Sequence, residues 1–308
     1  MLSLTQALQY RAECYQKIRD FFAKKGVLEV ETPLLSTFTV TDPYIQSFQI
    51  KKFDYYLQTS PEYAMKRLLV AGSGSIYQLC KAFREEQLGH KHNPEFTLLE
   101  WYRIGFDHHL LMDEMDEMLQ TLLDSRPAER LTYQELFLRY LSIDVFYSDE
   151  KKIKSLCENE VAIEKNNLHD QDTALQLLFS HCIEPQLGFE APVFVYDFPA
   201  SQAALSKIRQ SNPPVAERFE VYINGTELAN GFHELADAKE QYQRFFQNQQ
   251  ERKKLNLPVV EIDTRFISAL ESGFPACAGV ALGIDRLLMI KAKASSIEEV
   301  IAFTWDKA

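Results

Sequence analysis

No two cysteines in this 308-residue chain are spaced as C-x-x-C, and the five present (Cys14, Cys80, Cys157, Cys182, Cys277) are scattered. That excludes a redox dithiol and a local zinc knuckle, and an odd, dispersed set reads as reduced packing thiols of a cytosolic protein. His90, His92, His108 and His109 also lack the spacing of a metal site, so no zinc is expected. No apolar run approaches the roughly 18 residues that would cross a bilayer. Residues 1–17 alternate polar and apolar side chains and carry no signal-peptide core. The expected location is therefore cytoplasmic. Basic charge is scarce: 33 Lys and Arg stand against 44 Asp and Glu, for a net charge of −11. That disfavours a broad nucleic-acid footprint, which needs surplus cations to displace counterions, although a local basic patch remains compatible with it. Repeats, low-complexity tracts, a Walker loop and a dinucleotide fingerprint are all missing. What remains is 46% hydrophobic and 25% charged, a globular composition long enough for one large domain or two ordinary ones.

Leu8, Ala12, Tyr15, Ile18 and Phe22 fall at helical spacing over residues 4–25, with Gly26 as C-cap and a strand expected over 27–31, stopped by Pro33. Ser60 reads as the N-cap of a second helix, with Pro61 at its first position, Glu62 complementing the dipole and Gly72 ending it. From 75 to 102 the pattern is strand, charged loop, strand. Residues 107–182 read as mostly helical and carry no motif. A strand over 218–223 turns at Asn224-Gly225, a strong hairpin signal. Helical periodicity returns over 236–254, and a strand over 278–282 leads through Gly283 into a helix near Ile284. Strands joined by hairpins rather than βαβ units predict an α+β fold, an antiparallel sheet flanked by helices.

Three groups of residues could carry chemistry. Arg84 and Glu86 read as two apart on a strand and so share a face, and Phe96, Leu98, Glu100 and Tyr102 share one on the next, so that a hairpin of the two would present them on one surface. The pattern also fits a solvated, salt-bridged face. Against that, Glu100 lies in the apolar run Phe96-Thr97-Leu98-Leu99-Glu100-Trp101-Tyr102, where an unpartnered carboxylate is costly. Second, a two-residue turn at Asn224-Gly225 sets Tyr222 opposite Glu227 and puts Glu220 on the same face. The two glutamates become diagonal neighbours roughly 7–8 Å apart. Oxygen-only ligands suit Mg²⁺, and two exposed edge glutamates fit the pattern equally well. Downstream, Asn230 and Glu234 add an amide and a further carboxylate. Third, Gly279-Val280-Ala281-Leu282-Gly283-Ile284-Asp285-Arg286 brings small residues and a fixed cation to a helix start, a weak phosphate signal alone.

In this order the groups resemble the catalytic domain of class II lysyl-tRNA synthetases over nearly the whole chain. The matching motifs are Gly26-Val27-Leu28-Glu29-Val30-Glu31-Thr32-Pro33; Phe83-Arg84-Glu85-Glu86 with His92-Asn93-Pro94-Glu95-Phe96; the segment 227–234; and Gly283-Ile284-Asp285-Arg286. The resemblance implies a homodimer through the first motif. It implies ATP as substrate, with Arg84 on the α-phosphate, Arg286 on the γ-phosphate and Phe96 on adenine. Glu85, Glu86, His92 and Asn93 would lie around the nucleotide, bordered by Leu228 and Gly283. Glu220 and Glu227 would hold Mg²⁺. Ser60, Pro61, Glu62, Glu100, Tyr102, Asn230, Glu234 and Ala281 would line an amino-acid pocket. No general base is implied, because a substrate carboxylate is already a nucleophile, so Arg84 and Arg286 would be the catalytic groups.

Two departures are expected to matter. A synthetase carries an anticodon-binding barrel ahead of this domain, whereas here 1–308 reads as one catalytic domain with a mostly helical insertion at about 107–182. A pocket glycine of the synthetases is Ala281, and a methyl group is worth roughly 1–3 kcal/mol in discrimination. Both departures, with Thr59-Ser60-Pro61-Glu62-Tyr63, Glu100-Trp101-Tyr102-Arg103 and Phe198-Pro199-Ala200-Ser201-Gln202, resemble the branch of the family that transfers (R)-β-lysine or lysine to a lysine side chain of elongation factor P rather than to tRNA. The rival expectations are a truncated synthetase that charges tRNA and a non-catalytic nucleotide-binding regulator of translation.

Overall fold

The computed structural model describes residues 3–162, 168 and 170–308. In chain order the elements are α1 (Leu4–Lys24), β1 (Leu28–Glu29), β2 (Leu35–Ser36), β3 (Gln49–Ile50), β4 (Tyr55–Leu57), α2 (Glu62–Val70), β5 (Ile76–Phe83) and β6 (Glu95–Ile104). There follow α3 (His108–Leu123), β7 (Glu129–Thr132), α4 (Tyr133–Leu141), α5 (Glu150–Val161), α6 (Gln171–Leu178), β8 (Val193–Pro199), β9 (Ile208–Arg209), β10 (Val215–Tyr222) and β11 (Glu227–His233). The chain ends with α7 (Ala238–Lys254), α8 (Thr264–Glu271), β12 (Cys277–Gly283) and α9 (Ile284–Ala292). These fall into two compact units, Met1–Phe106 with Leu235–Ala308, and Asp107–Glu234.

In the first unit β5, β6 and β12 form an antiparallel ladder, with β1 parallel to the outer edge of β5. Strand alternation sends Tyr77, Leu99 and Trp101 to one face and Glu100 and Tyr102 to the other. Helix α1 covers the first face: Phe22 stacks on Tyr77 with ring centroids 4.3 Å apart and meets Trp101 edge-on at 5.5 Å. The buried stripe of α1 is Ala7, Cys14, Ile18, Phe21 and Phe22. The spacing-based stripe was rotated, since Leu8 is 48% exposed and Ala12 faces out; the aromatic pair at 21 and 22 sets the docking angle. The strand expected over 27–31 shortens to two residues, because only Leu28 and Glu29 find partners on β5. Pro61 occupies the N-cap of α2, and Ser60, one residue earlier, accepts from the Glu62 amide at 3.1 Å.

The start of α9 is tied into this sheet by a buried ion pair. One Asp285 oxygen meets Arg11 Nη2 of α1 at 2.5 Å, and the other accepts from the Thr97 amide of β6 at 2.8 Å. Arg11 also donates to the Val300 carbonyl at 2.9 Å.

In the second unit β10 lies between β11 and β8, all antiparallel; β7 pairs parallel to β8, and β9 pairs with β10. Its core is strongly aromatic: Tyr133 lies 4.9 Å from Phe198 and Phe179 lies 5.5 Å from Tyr222, centroid to centroid. The β10–β11 hairpin closes on Asn224 and Gly225, both at positive φ, with reciprocal Ile223–Thr226 amide bonds. Gly188 packs under that turn at φ +79, and a Cβ there would come within 2.6 Å of Ile223 Cα. No helix among the described residues is long and apolar enough to cross a membrane.

Removing Arg11 leaves the Asp285 carboxylate buried without its cation. Arg11→Ala is expected to lower stability by about 3 kcal/mol, read as a fall in the urea midpoint without loss of secondary structure.

Candidate active site

The even-numbered face of β6 organises the first group. Glu100 is 2% exposed and accepts from Ser60 Oγ at 2.6 Å and from Tyr102 OH at 2.7 Å. Its ladder partners are Gln78 on β5 and Ala281 on β12, so the Ala281 methyl lies one strand from the carboxylate. Glu62, in the first turn of α2, takes Lys66 Nζ at 2.5 Å one helical turn on. Burial, and then the neighbouring charge of Glu62, push the Glu100 carboxyl up to about 7 against the opposing pull of its two hydroxyl donors. Ser60, Pro61, Glu62, Glu100, Tyr102 and Ala281 therefore gather at one place. Lys66 and Gln78 were missed by sequence reasoning, although an i,i+4 Glu–Lys pair was a legible signal for the lysine.

The second group lies farther along the same face, four residues or roughly 13 Å of strand from Glu100. The Arg84 guanidinium stands 5.2 Å over the Phe96 ring. Arg84, Glu85 and Glu86 are not on the strand as expected: β5 ends at Phe83. The chain leaves the ladder there, with the Glu85 amide bonded to the Gln46 carbonyl at 2.9 Å, and Glu85 and Glu86 both face solvent. Asn93 is buried, and its amide donates to the Glu95 carbonyl at 2.6 Å and accepts from the Trp305 amide at 3.0 Å, which fixes the loop end against the chain terminus. Arg286, in the first turn of α9, donates to His92 Nε2 at 2.7 Å. Burial and the Arg286 charge hold the His92 imidazole below its ordinary range, so it accepts as the neutral ring. Gly283 precedes α9 opposite Leu98.

The third group belongs to the β10–β11 hairpin. Tyr222 is opposite Glu227 as expected, but a bulge between Val221 and Tyr222 shifts the ladder so that Glu220 pairs with Asn230. Both Glu220 oxygens are engaged, one by Arg218 and the other by the Tyr222 hydroxyl. Arg218 also donates to Asn230 Oδ1 at 3.2 Å and lies 4.6 Å over the Phe198 ring. This arginine was missed; residues 218, 220 and 222 share a strand face, the signal that could have found it. Each Glu220 oxygen keeps a second lone pair. With Glu227 on the neighbouring strand, the all-oxygen donor set fits Mg²⁺. Leu228 is buried beside Glu227, and Glu234 is 4% exposed where its backbone bridges to Ser206.

Histidine spacing gave no sign of one further cluster. His108, Glu217 and His233 are brought together from three elements, their ligand atoms all within 4.8 Å of one another. Sequence spacing could not show it, because 125 positions separate the two histidines. A cleft of about 590 Å³ beside α7 and α8, lined by Tyr242, Ile267 and Leu270, carries none of the sequence-predicted residues.

An antiparallel sheet with an arginine over a phenylalanine and a second arginine at the start of the last helix defines a class as well as a site. The chain belongs to the class II tRNA synthetases (D, K and N), whose pattern it matches over residues 2–307. Among its curated relatives, a protein of Hamiltonella defensa named elongation factor P–(R)-β-lysine ligase is 52% identical over 307 residues, covering 97% of this chain and 94% of that one. Proteins of the same name from Vibrio vulnificus and Salmonella typhi are 51% and 50% identical, covering 98% and 97% of this chain and 97% and 94% of their own.

The raised Glu100 carboxyl has a sign that can be checked. An unfolded chain releases this proton near the ordinary 4.5, the folded protein near 7. The group therefore contributes stability that is full below the unfolded value and lost as pH rises through 7. Denaturation midpoints of the wild type are expected to fall across that window relative to Glu100→Gln, whose amide cannot titrate.

Proposed function

We propose that this protein activates (R)-β-lysine, or lysine, with ATP and transfers the aminoacyl group to a lysine side chain of elongation factor P. The observation that carries the reading is the buried Glu100 carboxylate, held by Ser60 and Tyr102 on the strand face that also bears Phe96 under Arg84. A carboxylate so buried calls for a cation, and an ammonium group supplies one. The names borne by relatives near 50% identity over nearly the full chain support the same substrates. We read residues 1–308 as one catalytic domain.

In the first step an oxygen of the amino-acid carboxylate attacks the α-phosphorus of ATP. The bond to the β-phosphate oxygen breaks, pyrophosphate leaves, and an aminoacyl adenylate remains. Arg84 meets the charge that builds on the α-phosphate, and Arg286, steadied by neutral His92, meets the γ-phosphate. Phe96 stacks on the adenine, while Glu86 and Asn93 orient the nucleotide, with Glu85, Leu228 and Gly283 at its border. Glu220 and Glu227 would hold Mg²⁺, which when bound offsets phosphate charge. Ser60, Pro61, Glu62, Glu100, Tyr102 and Ala281 line the amino-acid pocket, and the family resemblance implies the same role for Asn230 and Glu234. In the second step the acceptor amine attacks the adenylate carbonyl, AMP leaves, and the nitrogen loses its proton to water. The protein acts by position and fixed charge throughout.

We also assign a homodimer to the first motif and the two residues after it, since Leu28, Leu34 and Leu35 are 56%, 39% and 46% exposed. Leu28→Asp is expected to shift the mass measured by light scattering from two chains to one.

The deciding experiment is ATP–pyrophosphate exchange with (R)-β-lysine and α-lysine in parallel, followed by the intact mass of added elongation factor P and a tRNA-charging control. A preference for β-lysine and a mass gain on the factor are expected; charged tRNA with an unmodified factor would overturn the proposal. Arg84→Ala is expected to abolish exchange while leaving the fold intact. Ala281→Gly should shift the preference toward α-lysine by about tenfold, the lower part of the range for one methyl group.

A further inference from the structure

We propose that His108, Glu217 and His233 form a binding site for a transition-metal dication of the zinc class, with the Asp197 carboxylate beside His108, separate from the oxygen-only pair Glu220 and Glu227. The site lies wholly within the unit Asp107–Glu234. His108 sits in the first turn of α3, Glu217 on β10, His233 at the end of β11 and Asp197 on β8. The ligand atoms of the first three lie within 4.8 Å of one another.

Two observations point to a ligand. His108 is 1% exposed, yet neither ring nitrogen has a hydrogen-bond partner among the described residues. A buried imidazole with both nitrogens unmet pays for desolvation without return. Asp197 Oδ1 is likewise buried and unmet, and it faces His108 Nε2 at 3.7 Å, too far for a hydrogen bond. Three elements thus bring two imidazoles and a carboxylate together, with a second carboxylate, Asp197, 3.7 Å from His108 Nε2.

The donor chemistry selects the ion. Imidazole nitrogen with carboxylate oxygen suits zinc, whereas Mg²⁺ prefers oxygen alone. Tetrahedral bonds of about 2.0–2.1 Å place donors about 3.4 Å apart, so binding draws the side chains inward by a modest rotation. His233 Nδ1 now meets Glu217 Oε2 at 2.5 Å, a contact that a metal would replace or would retain as an outer hydrogen bond. Arg209 is the competing cation. It pairs with Asp197 and comes within 3.7 Å of Glu217, but its side chain is 39% exposed and can swing to solvent. Two carboxylates against one guanidinium favour a dication. The ion would fix the start of α3 to the end of β11, one residue before Glu234.

The test uses the full chain, freed of metal by chelator and dialysis, and titrated with Co²⁺ as a spectroscopic substitute for Zn²⁺. One equivalent is expected to bind with the intense visible bands of tetrahedral cobalt, displaced by Zn²⁺. His233→Ala and Glu217→Gln should lose those bands, and Glu220→Gln should keep them. Because His108→Ala removes a fully buried ring, its folding is checked by circular dichroism. Half-buried His233 carries the second readout: Zn²⁺ should raise the melting midpoint of the wild type and not that of His233→Ala. Absence of tetrahedral bands in the wild type, or their survival in both His233→Ala and Glu217→Gln, would overturn the assignment.

Discussion

Much of the first unit follows from one constraint, a carboxylate placed where water cannot reach it. Glu100 lies on a central strand whose other face is sealed by α1 through Phe22, Tyr77 and Trp101. Such a group is tolerated only with donors in place, and the chain supplies Ser60 from the loop before α2 and Tyr102 from two positions along the same strand. Satisfying Glu100 therefore fixes where α2 begins. That in turn places Glu62, whose charge raises the Glu100 carboxyl and whose own partner is Lys66. The Glu100 carboxyl is thus poised between charged and neutral forms near pH 7, and on the proposed reading an arriving ammonium group tips it to the charged one.

The end of the site that bears Arg286 is held differently. On the proposed reading Arg286 must meet a phosphate, and the neighbouring residue anchors its helix. Asp285 ties α9 to α1 through Arg11 and to β6 through the Thr97 amide. The strand that carries Phe96 and Glu100 and the helix that carries Arg286 are thereby clamped to one another. A buried ion pair is a poor source of net stability, but breaking it on one side is costly, and the cost enforces a single placement.

What the sequence made legible tracks the range of the interaction concerned. The β10–β11 turn, the facing of Tyr222 and Glu227, the shared face of Phe96, Glu100 and Tyr102, and the start of α9 all depend on neighbours within a few residues. These could be read from periodicity and turn chemistry. Three readings failed where distant packing decides. The stripe of α1 is rotated because Phe22 docks on Tyr77 and Trp101, more than 50 residues away. Arg84 to Glu86 leave the ladder because the 46–47 loop takes the Glu85 amide. The bulge in β10–β11 moves Asn230 opposite Glu220, which a regular register would have given to Ala229. Strand β8, with only the motif at its end to mark it, escaped notice because it is buried on both faces and shows no alternation.

The bulge also explains how Arg218 reaches both Glu220 and Asn230. In the shifted register Glu220 and Asn230 face each other, and one guanidinium bonds both while lying on the Phe198 ring. A carboxylate held by an arginine on one oxygen and a tyrosine on the other cannot rotate freely. On the proposed reading that rigidity matters more than affinity. Mg²⁺ is strict about geometry and holds on to its waters, so it is served better by one fixed carboxylate oxygen than by a mobile pair. The arginine offsets part of the negative charge of the hairpin, which on that reading weakens cation binding in the absence of nucleotide. It leaves the metal to arrive with the phosphates that need it.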